Sequence, residues 1–195
     1  MTTLYTGDQG ENRGLDWTIT TEATSELLTV DEVEDRMDLS DNDDPQIIDN
    51  QIKAVRAYCE RILGISLVTS QTITAYWQQF AKRLPLPLGP ITSVTSVSIV
   101  NLSDGTETAL TSGTDFWVEG VKNKKIRFAS LYAAGIYGVK VVYVAGLSNE
   151  ADKKLVKDAI MSEVVEWYHQ RSNPDETQYT LGKIALSKLN VLRKL

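Results

Sequence analysis

Cys59 and His169 are the only thiol and the only imidazole in the chain, and they bound the chemistry it can perform. A single cysteine excludes an internal disulfide framework and a multi-cysteine zinc site. A single histidine excludes a His-rich metal centre and a relay of two imidazoles within one chain. A catalytic thiol needs a polarised, accessible setting. Cys59 instead falls on an apolar stripe with Ile48, Ile52, Val55 and Ile62, at spacings of 4, 3, 4 and 3, which makes it a core thiol. His169 has the chemistry of a general base. A lone histidine near a helix end more often meets the terminal carbonyls, and hydrolysis through it would need an orienting third group that the sequence does not mark. There is no P-loop, G-x-G-x-x-G, G-x-S-x-G or H-E-x-x-H. Asp41-Asn42-Asp43-Asp44 opens like a calcium loop, but its sixth position is Gln46 rather than Gly and its twelfth is Ile52 rather than Glu. Lys122, Lys124, Lys125 and Arg127 form a basic cluster able to meet phosphates or an acidic partner; a solvated loop tip is the plain alternative. No catalytic, cofactor-binding or metal-binding residue is assigned, and an enzyme is not expected.

The balance of charge narrows the partners. Of 195 residues, 20 are basic and 26 acidic, a net of −6. Residues 1–50 hold fourteen acidic residues against Arg13 and Arg36, a balance of −12, and the remainder holds eighteen basic against twelve acidic, +6. Such a split marks surfaces meant for different partners. No apolar run approaches the roughly 18–20 residues that span a bilayer. Met1 to Gly10 lack a basic region followed by an apolar one, so no signal peptide is expected and no membrane partner.

The elements follow from period and capping. Residues 1–26 read as a polar N-terminal extension broken by Gly7, Gly10 and Gly14, in which Trp17 and Ile19 are isolated apolar residues. Thr29 and Glu32 make a capping box for a helix over 29–38. Asp44 and Pro45 start a second helix over 45–63, which Gly64 ends. Between 66 and 146 the period shortens. Leu67 to Trp77, Ile91 to Ile99, Thr106 to Leu110, Phe116 to Val118, Lys125 to Phe128 and Val139 to Val144 read as strands. Ile91 to Ile99 needs a bulge to reconcile its apolar spacings. Leu84 to Pro90 reads as an extended crossing segment, because its prolines remove donors. Asn149 caps a long helix over 149–172, with Val156, Ile160, Val164, Trp167, Tyr168 and Arg171 along one side. The fold class is α+β: a helical frame of two N-terminal helices and one long C-terminal helix. A small antiparallel β-sheet or sandwich is inserted, and an extended tail follows. Residues 27–174 then form the main domain and 175–195 a tail both basic and apolar, which is unlike a segment left in water.

Four stretches in this order resemble one family. They are Leu28-Thr29-Val30-Asp31-Glu32-Val33 and Ala57-Tyr58-Cys59-Glu60-Arg61-Ile62-Leu63-Gly64, then Leu84-Pro85-Leu86-Pro87 through Pro90 to Val97 and Asp104-Gly105. The last is Val142-Tyr143-Val144-Ala145-Gly146, followed by the helix ending Glu166-Trp167-Tyr168-His169-Gln170-Arg171. Over residues 27–172 the chain resembles the head–tail connector (adaptor, or head-completion) proteins of long-tailed bacteriophages and gene transfer agents. The resemblance implies a structural virion protein of the neck, present in the host cytoplasm before assembly. It implies a dodecameric ring of this chain beneath the portal that extends the DNA channel. It also implies contact with a stopper or tail protein, and genomic DNA passing without sequence specificity. A portal contact is expected in the tail, at Leu181, Ile184, Leu186, Lys188, Leu189, Leu192, Arg193, Lys194 and Leu195. Deleting Leu181 to Leu195 is expected to leave a folded chain that no longer binds portal. The alternative reading is a nucleic-acid-binding accessory protein that uses the basic loop and tail.

Overall fold

A computed structural model describes residues 14–39, 45–121, 124–130, 132, 136–170, 182, 185 and 187–190. In chain order it forms β1 (Leu15–Thr21), α1 (Val30–Met37), α2 (Pro45–Leu63), β2 (Gln71–Trp77), β3 (Arg83–Pro85) and β4 (Ile91–Asn101). β5 (Glu107–Ala109), β6 (Phe116–Glu119), β7 (Lys125–Phe128), β8 (Tyr137–Ala145) and α3 (Glu150–Gln170) follow. The α+β class and the antiparallel insertion between α2 and α3 are as the sequence predicts. The chain divides into two units: Ser70–Gly146 with β1 in one, Thr24–Thr69 with the chain from Leu147 onward in the other. Among the described residues no helix is long and apolar enough to cross a membrane.

In the helical unit the caps do what the sequence dictates. The Thr29 hydroxyl accepts the Glu32 N–H at 3.3 Å and a Glu32 carboxylate oxygen accepts the Thr29 N–H at 3.1 Å, which satisfies two amides that the helix itself cannot. Asp38 closes α1 in the left-handed region. Gly64 follows α2 at φ 65°, a conformation that costs glycine little. Asn149 Oδ1 accepts the Ala151 N–H at 2.8 Å. The core joins Leu28, Val33, Ile48, Ile52, Val55, Cys59, Leu63, Val156, Ile160 and Val164. One stripe residue departs from expectation. Ile62 is 42% exposed while Leu63 is 4% exposed. The helix advances about 100° per residue, and the last turn of α2 presents Leu63 and Glu60 to the core instead.

The other unit holds a five-stranded sheet, ordered β1-β2-β8-β4-β5, and a three-stranded sheet, β3-β7-β6. All pairings are antiparallel. Ile73, Ala75 and Trp77 of β2 and Val139, Val141, Tyr143 and Ala145 of β8 face the core by strict alternation. β4 shifts register twice, between Ile91 and Ser93 and between Val94 and Ser96, so the strand predicted with one bulge carries two irregularities. The Leu84 to Pro90 segment buries Leu84, Leu86 and Leu88 while Pro85 stays exposed. The Tyr143 hydroxyl donates to the Pro87 carbonyl at 2.7 Å and anchors that segment to the sheet. The largest difference from the sequence reading lies in the N-terminal extension. Leu15–Thr21 is not a loose arm: it pairs with β2 from Leu15↔Trp77 to Thr21↔Thr72. Leu15, Trp17 and Ile19 pack on the sheet's apolar cluster, and their alternation with Asp16, Thr18 and Thr20 is a two-residue strand period.

Candidate functional site

The sequence points to a portal contact in the tail. Leu181, Ile184, Leu186, Leu192, Arg193, Lys194 and Leu195 lie outside the described residues. Of the described ones, Leu189 and Ala185 are wholly buried in the helical core. Leu189 is thus an anchor that holds the tail to its own chain. Lys188 pairs with Asp158 of α3 at 2.5 Å. The Gly182 N–H donates to Glu163 Oε1 at 2.8 Å. A Cβ at Gly182 would lie 2.7 Å from that same oxygen, so a larger residue there requires the Glu163 carboxylate to swing aside. This packing argues against the expectation that the tail can be deleted from an otherwise intact fold, because Ala185 and Leu189 cover part of the helical core.

Glu163 is the centre of that docking. It is 1% exposed and sits on α3 in line with Val156, Ile160 and Trp167, one or two turns apart. Its Oε2 has no hydrogen-bond partner among the described residues. Burial pushes its carboxyl up from the ordinary range; the Gly182 N–H opposes this and the Glu166 charge adds to it. A second buried carboxylate, Glu60, is fully bonded. It accepts Arg56 Nη1 at 2.8 Å and the Leu67 N–H at 2.8 Å, and Arg56 Nε also meets Glu26 at 2.8 Å. Burial raises the Glu60 carboxyl, and the Arg56 guanidinium pulls against that. Burial also pushes the Cys59 thiol up to about 12, with the Glu163 and Glu60 charges adding to it. Cys59 is thus a protonated core thiol at neutral pH. His169 is exposed, its ring edge-on to Tyr168 at 6.2 Å. No group of three metal-binding side chains comes together among the described residues. Asp41 to Asp44 and Lys122 lie outside the described residues.

The basic cluster resolves into separate duties. Lys124 Nζ donates to the Thr92 carbonyl at 2.9 Å. Lys125 and Arg127 share one face of β7, since they are two residues apart with Ile126 buried between them. Register places Arg127 between Arg83 of β3 and Trp117 of β6. The Arg127 guanidinium lies 4.4 Å from the Trp117 ring centroid. Its Nε meets Glu119 at 2.5 Å, and Arg83 Nε reaches the other Glu119 oxygen at 3.4 Å. Sequence reasoning found Lys125 and Arg127 but missed Arg83 and Trp117, which the strand register brings beside them. It also missed Glu163 and Glu60, although a carboxylate inside the apolar stripe of α3 was a visible signal for the first.

No family model matches the sequence, and no curated protein does. Solved structures do match the fold. A chain from the neck of an empty GTA particle, computed with C6 symmetry, superposes with a TM-score of 0.68 at 15% identity, covering 90% of this chain and 93% of that one. A chain from the virion of a native gene transfer agent particle gives 0.67 at 15%, with coverage of 90% and 93%. A chain from the neck of a native GTA particle, computed with C12 symmetry, gives 0.61 at 14%, covering 98% and 93%. Across both the helices and the sheets, this chain has the fold of a chain found in the neck of gene transfer agent particles.

Proposed function

We propose that this chain is a structural, non-catalytic protein of a virion neck, of the head–tail connector type. Copies form a dodecameric ring beneath the portal, join head to tail and extend the DNA channel. The carrying observation is the fold match over nine-tenths of the chain to neck chains of gene transfer agent particles. The order of the four sequence motifs supports the same reading. A closing ring needs two different lateral faces on each copy, and the uneven spread of acidic and basic residues along the chain is compatible with two faces of opposite sign. A channel walled by basic residues would hold DNA by counterion release and impede its passage; a lumen that is neutral or acidic lets DNA through without sequence preference. The tail reaches the portal through Leu181, Ile184, Leu186, Lys188, Leu192, Arg193, Lys194 and Leu195, with Leu189 as the anchor at its base. A stopper or tail protein binds the opposite end of the ring. The site is the virion neck, reached from the host cytoplasm.

The test mixes the purified chain with purified portal rings and images the product by negative stain. The expected result is a ring of this chain on one end of the portal, lost on Arg193→Glu with Lys194→Glu. Portal rings that stay bare at saturating chain concentration refute the reading. A salt-dependent shift of short duplex DNA by the isolated chain, with bare portals, replaces it by the nucleic-acid reading.

A further inference from the structure

The three-stranded sheet has one face in the core and one in water. Leu84, Ile126, Phe116 and Phe128 point inward. Arg83, Lys125 and Arg127 point outward, with Trp117 and Glu119 beside them. Two features set this face apart from an ordinary solvated surface. Arg127 is held in place, stacked on Trp117 and bonded to Glu119, so little rotamer freedom remains to be lost on contact. Arg and Trp are also the residues most enriched at the energetic centres of interfaces. Lys125 is exposed and has no ion pair among the described residues.

The complementary surface is in the same chain. α1 exposes Asp31 and Asp35, one turn apart on the side away from Val33. Neither carboxylate has a hydrogen bond or ion pair among the described residues, whereas the neighbouring Glu32 is already held by Lys157. Four residues of helix rise about 6 Å. Two residues of strand rise about 7 Å. The two acids therefore repeat at nearly the spacing of Lys125 and Arg127.

We propose that the outward face of the β3-β7-β6 sheet docks α1 of a second copy of this chain, Lys125 and Arg127 meeting Asp31 and Asp35. The proposal rests on the neck-ring reading and names its lateral contact. Each copy offers a basic face to one neighbour and an acidic helix to the other. The contact is therefore heterologous and passes from copy to copy. DNA phosphates are the competing occupant of the same face.

Sedimentation of the full chain from micromolar to millimolar concentration at low salt tests this. The wild type associates with rising concentration, and added salt weakens the association. Lys125→Glu with Arg127→Glu weakens it about tenfold or more, as reversal at two exposed pairs should. Lys125→Ala alone, at an exposed position with no ion pair among the described residues, weakens it by a smaller factor without setting a second carboxylate opposite Glu119. Asp31→Lys with Asp35→Lys does the same from the other side. The chain carrying all four reversals recovers association, because each new face meets its new complement. Association that ignores either face, a four-fold variant that does not recover, or a wild type that stays monomeric overturns the proposal. So does a duplex-DNA shift that is abolished by Lys125→Glu. None of these outcomes touches the neck reading, which stands or falls on portal capture.

Discussion

Removing the tail should unfold the helical unit rather than merely blunt its function. Leu189 is fully buried, and replacing such a leucine by alanine costs about 2–5 kcal/mol in transfer and cavity terms. Deleting 181–195 removes Leu189 and Ala185 together. It also strips the Gly182 N–H from Glu163 and lets water reach that carboxyl in its place. The loss is then set by the apolar contacts, about 2–5 kcal/mol or more, a large part of the 5–15 kcal/mol typical of a whole domain. The assay is urea unfolding followed by the helical circular dichroism signal, for the full chain, for Leu189→Ala and for the deletion. Leu189→Ala should lower the midpoint clearly at unchanged slope. The deletion should lower it further or abolish the transition of the helices. A deletion with the wild-type midpoint would refute the reasoning, because residues 185–190 would then add nothing to the core. The consequence for function is direct. Lost portal binding in a truncated chain says little, so the portal contact has to be tested with point changes at the tail's end.

Other perturbations follow from the same packing. Gly182→Ala places a methyl 2.7 Å from Glu163 Oε1; the carboxylate swings aside and loses the Gly182 N–H, for about 0.5–1.5 kcal/mol in the same urea assay, falling mainly on the helical transition. Tyr143→Phe removes the hydrogen bond to Pro87 and leaves a part-buried carbonyl bare, for a loss of about 1–2 kcal/mol read as a lower melting temperature of the sheet unit. Glu163 holds its proton more tightly folded than unfolded, because burial raises its carboxyl above the ordinary glutamate range. Stability should therefore fall as pH rises from about 4.5 through the folded pKa, with the full penalty above it. Glu163→Gln should flatten that slope; an unchanged slope in the variant would contradict the assignment. Glu32 runs the other way, since its bond to Lys157 lowers its carboxyl; its contribution is present above the unfolded value and lost as pH falls through the folded one.

What was legible in the sequence had local causes. The bounds of α2 follow from Pro45 at its start and Gly64 past its end, and the start of α1 from Thr29 and Glu32, because capping is settled within four residues. The strands of the insertion follow from Val-, Ile- and Thr-rich runs between turns. β1 was written in the alternation of Leu15, Trp17 and Ile19, but such a short edge strand competes with the glycine-rich polar stretch before it, and its partner β2 lies some fifty residues away. The pairing of Arg127 with Trp117 and Arg83 depends on the register of three strands, which no single segment carries. Glu163 broke the apolar stripe of α3 in plain view. Its partner, the Gly182 amide, is nineteen residues on, in a tail whose hydrophobicity suited its own core as well as a foreign one. Apolar, basic segments are ambiguous in this way, since periodicity reports that a face will be covered and not by which molecule.

Charge shows why a segment's net total is a poor guide to its partners. The acidic first fifty residues do not present all of their charge outward. Glu26 is taken up by Arg56, Glu32 by Lys157 and Asp49 by Lys53, all within the helical unit. On the basic side, Lys140 is engaged by Glu107, Arg127 in part by Glu119 and Lys188 by Asp158. Exposed pairs of this kind add little stability, but they remove charge from the surface that a neighbour meets. Asp31 and Asp35 on one side and Lys125 on the other are among the exposed charges that this internal pairing leaves over among the described residues. A partner of opposite sign is drawn to those residues and not to the totals of −12 and +6. Exposed pairs between copies are each weak alone, so they hold an assembly only when many of them are made at once.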